Sequence, residues 1–410
     1  MTFNPIGIAI PFFMLLIGIE WLVSIRMNKK VYRLNDAVAD LGCGIGDQML
    51  GLLVKTGLVF VYILIYDNFR LFDLMQTPWL AWTVAIVGVD FFYYWYHRFS
   101  HRTQVGWATH VVHHQSEEYN LAVALRQPWF AKIYSWSFYL VLPLIGLPVE
   151  LYVTSFAFNL LYQFWIHTRL IKTLGPFEWV FNTPSHHRVH HGINREYLDK
   201  NYGGILIIWD RMFGTFEQEV EEPIYGTLAP IRSWNPFWVN SWPLLKLIRD
   251  SFRQKALSDK LTLWLRPPGW SAEEGRVIFV DEFPPPGRNY DSDLERRLTW
   301  YVLVQFAPIS VLVSGLLLVR GFWSSTVVNS AVGFIFLTLV VISGLYDQRS
   351  WAGMLEYLRL FVLIALGAIL TQVDGFSPIY GTLAMGLGLV SLLSFAMISR
   401  GPRKRVISDS

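Results

Sequence analysis

The chain has 410 residues, of which 53% are hydrophobic, 16% aromatic and only 16% charged. Ordinary soluble domains carry about 25% charged residues, so composition turns the reading away from a soluble fold. A formal net charge of +3 without a Lys/Arg-rich arm excludes an electrostatic nucleic-acid binder, and the single cysteine, Cys43, excludes an intrachain disulfide or a cysteine-based zinc module.

A helical span needs roughly 20 predominantly apolar residues, and hydropathy predicts the first at 5–25. No basic stretch precedes it and no clear cleavage site follows, so it reads as a retained span rather than a signal peptide. Spans at 49–67 and 78–97 come next, then a hairpin of 129–147 and 149–168 that turns at Pro143, Gly146 and Pro148. The hairpin either crosses fully or re-enters the face it left. From 169 to 296 charged residues and Pro-rich runs (RPPGW at 266–270, FPPPGRNY at 283–290) predict a cytosolic segment wrapped against the membrane face. Four more spans follow at 297–319, 324–345, 353–371 and 378–398. The expected architecture is all-α and polytopic, with about nine spans. Residues 1–296 form one membrane domain that includes the cytosolic segment, and 297–410 form a four-span region with a basic tail.

Arg26, Lys29, Lys30 and Arg33 follow the first span, and Arg400, Arg403, Lys404 and Arg405 follow the last; the opposite loops hold only Arg70 and Arg320. The positive-inside rule then places the N-terminus outside and the C-terminus in the cytosol. A bacterial inner membrane and an endoplasmic reticulum both satisfy that orientation.

All ten histidines fall between His97 and His191. His97 and His101 are i and i+4. His110, His113 and His114 are i, i+3 and i+4, and His187, His190 and His191 repeat that spacing. His186 precedes the last set, and His167 stands alone. Residues three or four apart share a helix face, and neutral imidazole is a common ligand of first-row transition metals. The parcels therefore predict a histidine-rich di-metal site at the cytosolic face. A lone histidine on an apolar helix is more often a hydrogen-bonded structural residue, which is the bland reading of His167. His186 points about 100° away from His187 on a helix and so reads as a ligand or as a support for one.

Which metal follows is less direct. One structural zinc site takes four ligands and favours cysteine, and a haem needs only one or two axial ligands. Copper and zinc also accept imidazole. Two metals among many histidines at a membrane boundary best suit oxygen activation by non-haem iron, which needs open coordination positions and shielding from water. The aromatic run Phe91, Phe92, Tyr93, Tyr94, Trp95 and Tyr96 either walls a reaction chamber or forms an interfacial belt. Candidate supporting groups are Asp90, two helical turns deeper than His97 and able to accept an imidazole N–H, then Asn159 and Gln163 before His167, and Glu117, Glu118 and Asn120 after the second parcel. A histidine-rich metal transporter or sensor is the rival of a different class. It would place ligands along a crossing path with acidic partners in the spans.

The three parcels resemble the histidine boxes of the fatty acid hydroxylase/sterol desaturase superfamily of membrane di-iron enzymes. The longer strings HVVHHQSEEYNLAVALRQ, FNLLYQFWIHT and NTPSHHRVHHGINREYLDKNYGGILIIWDRMFGTFE are similar to the alkylglycerol-cleaving branch of that superfamily. This resemblance implies two iron ions held by His97, His101, His110, His113, His114, His187, His190 and His191, with His167 and His186 completing the set. It implies O2 and tetrahydrobiopterin as co-reactants, an ether lipid drawn from the bilayer as substrate, and a fatty aldehyde as product. Arg102 directly follows His101, where that branch carries an acid. The rival within the superfamily is a fatty acid, sphingolipid or sterol hydroxylase or desaturase. Neither the electron donor nor the oligomeric state can be read from these residues.

Overall fold

The computed structural model describes residues 5–54, 56–271, 273–278, 290–292, 294–319, 323–373 and 377–399. The proline run at 283–289, Arg320 and the basic tail with Arg400, Arg403, Lys404 and Arg405 lie outside the described residues. The chain divides into two compact units, Met1–Arg232 with Pro236–Tyr290, and Ser233–Asn235 with Asp291–Ser410.

The first unit runs through α1 (Pro5–Arg26), α2 (Leu34–Val54), α3 (Thr56–Phe69), α4 (Pro78–Arg102), α5 (Gln104–His114), α6 (Val141–Leu144) and α7 (Val149–Trp165). It continues through α8 (Pro184–His191), α9 (Ile208–Phe213), α10 (Pro236–Arg253), α11 (Leu257–Thr262) and a two-residue hairpin of β1 (Trp270–Ser271) with β2 (Arg276–Val277). The second unit holds α12 (Arg296–Val319), α13 (Ser325–Tyr346), α14 (Ala352–Leu370) and α15 (Pro378–Ser399). The fold is thus helical and polytopic. Among the described residues five helices, Gly7–Arg26, Arg296–Leu318, Ser325–Tyr346, Ala352–Leu370 and Pro378–Ser399, are long and apolar enough to cross a bilayer.

The expected span 49–67 includes Lys55, which lies outside the described residues, with α2 and α3 described on either side of it. One expected span takes a different form. The first hairpin arm, 129–147, is a series of short 3-10 turns ending in the four-residue α6. Its residues are apolar enough to register as a span. Pro143 nonetheless removes a backbone donor, and Gly146 adopts φ +89 with its backbone against Phe72, where a Cβ would stand 2.0 Å from the Phe72 carbonyl oxygen. The second arm, α7, is a regular helix that packs on α4.

One core of the first unit gathers Tyr62, Ala85, Val89, Tyr139, Leu142 and Leu147, joining α3, α4, α6 and α7. It anchors the deep half of α4, whose other end carries His97 and His101. Helix α10 packs Val239 against Val112, and Leu247 against Ala108. Both partners lie on α5, so α10 backs the helix that carries the second histidine parcel.

Candidate metal centre

Helix α4 begins with Pro78 at its first turn, where the missing N–H costs nothing. It stops at Thr103, whose backbone is extended. The Thr103 N–H donates back to the Phe99 carbonyl while its Oγ1 accepts from Gly106 N at 3.1 Å, so one residue ends α4 and caps α5. The turn is tight enough that a Cβ on Gly106 would lie 2.5 Å from the Phe99 oxygen. The chain therefore doubles back, and α5 lays its histidines against those of α4. Helix α8 brings the third parcel from Pro184 to His191, again with proline in the first turn.

Nine of the ten imidazoles converge in two groups. His97, His101, His110, His114 and His190 form one, and His113, His167, His187 and His191 the other; within each group one nitrogen per ring lies within 4.8 Å of all the others. The parcels and the groups do not coincide. Helix α4 serves only the first group, whereas α5 and α8 each serve both. Residues at i and i+4 differ by about 40° around a helix axis and sequence neighbours by about 100°. Thus His110 and His114 stay together, as do His187 and His191, while His113 and His190 swing to the opposite group. The stacked rings of His114 and His191, with centroids 4.3 Å apart, mark where the groups meet.

The hydrogen bonds assign the tautomers. His97 Nδ1 donates to the Tyr202 carbonyl at 2.8 Å, His113 Nδ1 to Arg126 at 3.1 Å, His167 Nδ1 to Gln163 at 2.7 Å and His190 Nδ1 to Lys200 at 2.9 Å. Each of these rings is left with a bare Nε2 lone pair facing inward. His113 Nε2 and His167 Nε2, both bare, stand 3.4 Å apart, and His97 Nε2 lies 3.2 Å from His110 Nε2. The Nε2 atoms of His101, His114, His190 and His191 are buried without a hydrogen-bond partner. Facing lone pairs in a dry interior are costly and become favourable around a cation. A metal takes imidazole nitrogens at about 2.1 Å, which sets two nitrogens on one ion ~3 to ~4.2 Å apart, matching the spacing found. Burial holds His101, His110, His114, His187, His190 and His191 well below the ordinary imidazole value and brings His113 to about 4. The rings are therefore neutral, the state that binds metal. An all-nitrogen set without thiolate or carboxylate suits a first-row transition metal rather than magnesium or calcium.

His186 stands apart from both groups. It is buried edge-on to Phe216, with ring centroids 5.4 Å apart, because the step from His187 turns it off the shared face.

Asp90 supports the site differently from the sequence expectation. No imidazole donates to it. Its carboxylate accepts from Ile205 N, Leu206 N, Trp209 Nε1 and Asn159 Nδ2 at 2.7–3.0 Å. Asn159 Oδ1 in turn accepts from Gln163 Nε2 at 2.6 Å, and Gln163 Oε1 from Tyr93. Asp210 completes the hold by accepting from Tyr202 N and Gly203 N, each at 2.8 Å. The two carboxylates thus fix the strap 200–206, whose carbonyls orient His190 and His97. Glu117, Glu118 and Asn120 touch no imidazole: Glu117 pairs with Arg33, Glu118 with Arg169, and Asn120 donates to the Val31 carbonyl. They tie the loop after α5 to other segments. Arg102 forms a partly exposed ion pair with Asp199 at 3.0 Å.

Several groups escape a sequence reading. Arg126 pairs with buried Asp40 at 2.9 Å. Arg188 grips Glu219 with two nitrogens and donates to the carbonyls of Thr168 and Ile171, fixing α8 to the segment after His167. Tyr119 stacks on His167 and on Tyr225. The one legible signal is the run Asp199–Gly204: Asp199 and Asn201 adopt φ +61 and +56, a conformation that Asp and Asn tolerate.

A helical membrane fold with two buried imidazole groups is compatible with a membrane metal site, and comparison with known proteins makes the chain an oxidoreductase. The fatty acid hydroxylase family model matches residues 82–215, a stretch that contains every histidine. The chain is 40% identical to human alkylglycerol monooxygenase over 363 residues, covering 87% of this chain and 81% of the relative. It is 38% identical to alkylglycerol monooxygenase of Danio rerio over 362 residues, with the same coverage. A shorter match, 27% over 134 residues, covers 32% of this chain and 40% of an ornithine lipid hydroxylase, OlsE, of Rhizobium tropici. No solved structure matches the chain. The chain belongs to the alkylglycerol monooxygenase family, and it is an integral-membrane lipid monooxygenase.

Proposed function

We propose that this protein is a non-haem di-iron monooxygenase that cleaves the ether bond of alkylglycerols. One iron would be held by His97, His101, His110, His114 and His190, and the second by His113, His167, His187 and His191. The observation that carries this reading is the pair of all-imidazole groups with bare nitrogens turned inward. His186, outside both, is a packing residue on the face of α8 turned toward Phe216.

When bound, the metals supply reductive activation of O2: one oxygen atom enters a C–H bond, the other leaves as water, and a tetrahydropterin provides the two electrons. The chain's own residues do the rest. Carbonyls of Gln163, Lys200, Tyr202 and Arg126 fix four imidazoles as neutral Nε2 ligands, so no proton must leave them on metal binding. Tyr119, Tyr202 and Trp107 pack against the rings and keep bulk water from them. Hydroxylation of the carbon bonded to the ether oxygen yields a hemiacetal, which loses its hydroxyl proton as the C–O bond to glycerol breaks; the departing oxygen takes up a proton to give the glycerol hydroxyl, and a fatty aldehyde remains. The lipid would enter from the bilayer with its head at the cytosolic histidine face, the N-terminus outside and the C-terminus inside.

The test is iron-loaded protein, prepared anaerobically and then given O2 and an alkylglycerol with and without a tetrahydropterin. Aldehyde release that requires the pterin is the expected result. A hydroxylated lipid with its skeleton intact would instead favour the second reading, hydroxylation of another polar lipid, toward which the match to the ornithine lipid hydroxylase points. Turnover with a different reductant would keep the iron and remove the pterin, an outcome Arg102 makes worth testing.

A further inference from the structure

Helix α10 is apolar on two faces. Val239 and Leu247 face inward onto α5, as described above. Trp238, Trp242, Leu245, Arg249 and Phe252 recur at i, i+4, i+7, i+11 and i+14 and form one stripe on the opposite side. On that stripe Leu245 is 50% and Phe252 74% exposed. Trp238 stacks on Trp242, and the Arg249 guanidinium lies over the Trp242 ring, its apolar stem along the stripe and its charge at the rim. The stripe continues after a short turn: Leu257, Leu261 and Leu265 are 70%, 65% and 65% exposed at successive i+4 steps.

Cations line this surface. Between Pro236 and Arg266 the chain carries Lys246, Arg249, Arg253, Lys255, Lys260 and Arg266 against Asp250 and Asp259, six positive charges to two negative, or +4. Lys246 is paired with Asp250 at 2.5 Å, so the excess lies toward α11. Exposed leucine and aromatic residues rimmed by lysine and arginine are the composition of a helix that lies in the bilayer interface, apolar side among the upper acyl carbons and cations at the headgroups.

We propose that α10 and α11 form an in-plane membrane-docking surface that takes a leaflet containing anionic lipid. In this position α10 lies between the lipid surface and α5, the helix that supplies His110, His113 and His114. The inference needs neither a bound metal nor the ether-lipid substrate; it needs only that the chain resides in a membrane.

The test uses spin labels on the full chain with Cys43→Ser, placed by Phe252→Cys, Leu257→Cys, Leu261→Cys and, on the opposite side of α11, Asp259→Cys. The protein is reconstituted in vesicles of phosphatidylcholine with phosphatidylglycerol as the minority lipid. Collisions with oxygen, which concentrates in acyl chains, and with a water-soluble nickel chelate are then compared. The expected result is oxygen access exceeding nickel access several-fold at 252, 257 and 261, and the reverse at 259. High nickel access at all four sites overturns the proposal, and low access to both reagents at 252, 257 and 261 overturns it in favour of cover by protein, such as a second copy. Leaving out phosphatidylglycerol should bring the labels closer to water; unchanged depth overturns the anionic partner.

Discussion

The Arg126 carbonyl oxygen accepts the Nδ1–H of His113 at 3.1 Å, while the Arg126 side chain reaches back to the carbonyl of Val112 with Nε at 2.7 Å. One residue therefore sets both the tautomer of a second-group imidazole and the position of the helix that carries it. Its Nη1 is neutralised by Asp40, and both partners are buried.

Arg126→Gln should leave the buried Asp40 carboxyl without its ion-pair partner, at a cost of ~3–5 kcal/mol. It should also weaken metal binding, by up to about 10–100-fold, because the side chain that clamps the Val112 carbonyl and holds the Arg126 carbonyl against His113 is lost while that carbonyl itself remains. Adding Asp40→Asn should restore part of the stability but not the affinity. Thermal midpoints and iron titrations of the single and double variants separate the two effects; affinity recovering in step with stability would reduce Arg126 to a structural role.

The histidine constellation was legible because i, i+3 and i+4 spacing is a local property of helices. The division into two groups was not, since it depends on how α4, α5, α7 and α8 face one another. The supports were the least legible. Imidazole donors end on backbone carbonyls of Arg126, Gln163, Lys200 and Tyr202, and every residue type has a carbonyl, so no composition signal marks them. Asp90 was expected to accept from an imidazole; its partners are instead Asn159 on α7 and Ile205, Leu206 and Trp209, which lie more than a hundred residues later and carry no local sequence signal. At 129–147 the turn residues Pro143 and Gly146 were legible, but hydropathy registers apolarity alone and does not distinguish one long helix from the short 3-10 turns that precede α6.

Metal content should separate His186 from its neighbour. His186→Gln should bind as much iron as the parent chain, because its ring joins neither group. His187→Ala removes one of four ligands from the smaller group and should lower the bound iron toward half, with the larger group still filled. Iron per protein by elemental analysis checks both; equal losses in the two variants would return His186 to the ligand set.

The metal-free protein should be acid-labile in a defined window. Burial sets His113 and His186 at about 4, against an ordinary value of 6.5. Between these limits the unfolded chain takes up protons that the folded chain refuses, so stability rises with pH there. It is fully present above 6.5 and is lost progressively as pH falls toward 4, by on the order of a few kcal/mol. A thermal midpoint that is level above neutrality and declines below pH 6.5 is expected, and a midpoint unchanged down to pH 4.5 would refute it.

In the second unit, Arg359 donates to both oxygens of Glu356 at 2.7 Å and to Gln305 at 2.8 Å, and the Tyr301 hydroxyl also donates to Glu356. Gln305 passes the chain to Ser391 at 2.8 Å, so one closed polar network joins α12, α14 and α15. Glu356→Ala strands a buried guanidinium and should cost ~3–5 kcal/mol, whereas replacing Glu356 and Arg359 together by leucine should be near neutral. Detergent-unfolding midpoints of the full chain make the comparison. A double variant as unstable as the single one would mean the network contributes more than the cost of burying its charges.

Gly204 offers a test confined to the larger group. A Cβ there would meet Asn159 Nδ2 at 2.8 Å and Asp90 Oδ1 at 2.9 Å, so the strap can run over this carboxylate only without a side chain. Gly204→Ala should push the strap outward at a cost of ~1–3 kcal/mol. The shift would carry off the Tyr202 carbonyl that orients His97, whereas His113 and His167 take their acceptors from Arg126 and Gln163. The variant should therefore bind its first equivalent of iron as the parent does and its second at least about 10-fold more weakly. Equal weakening of both equivalents would show that the strap supports the two groups alike.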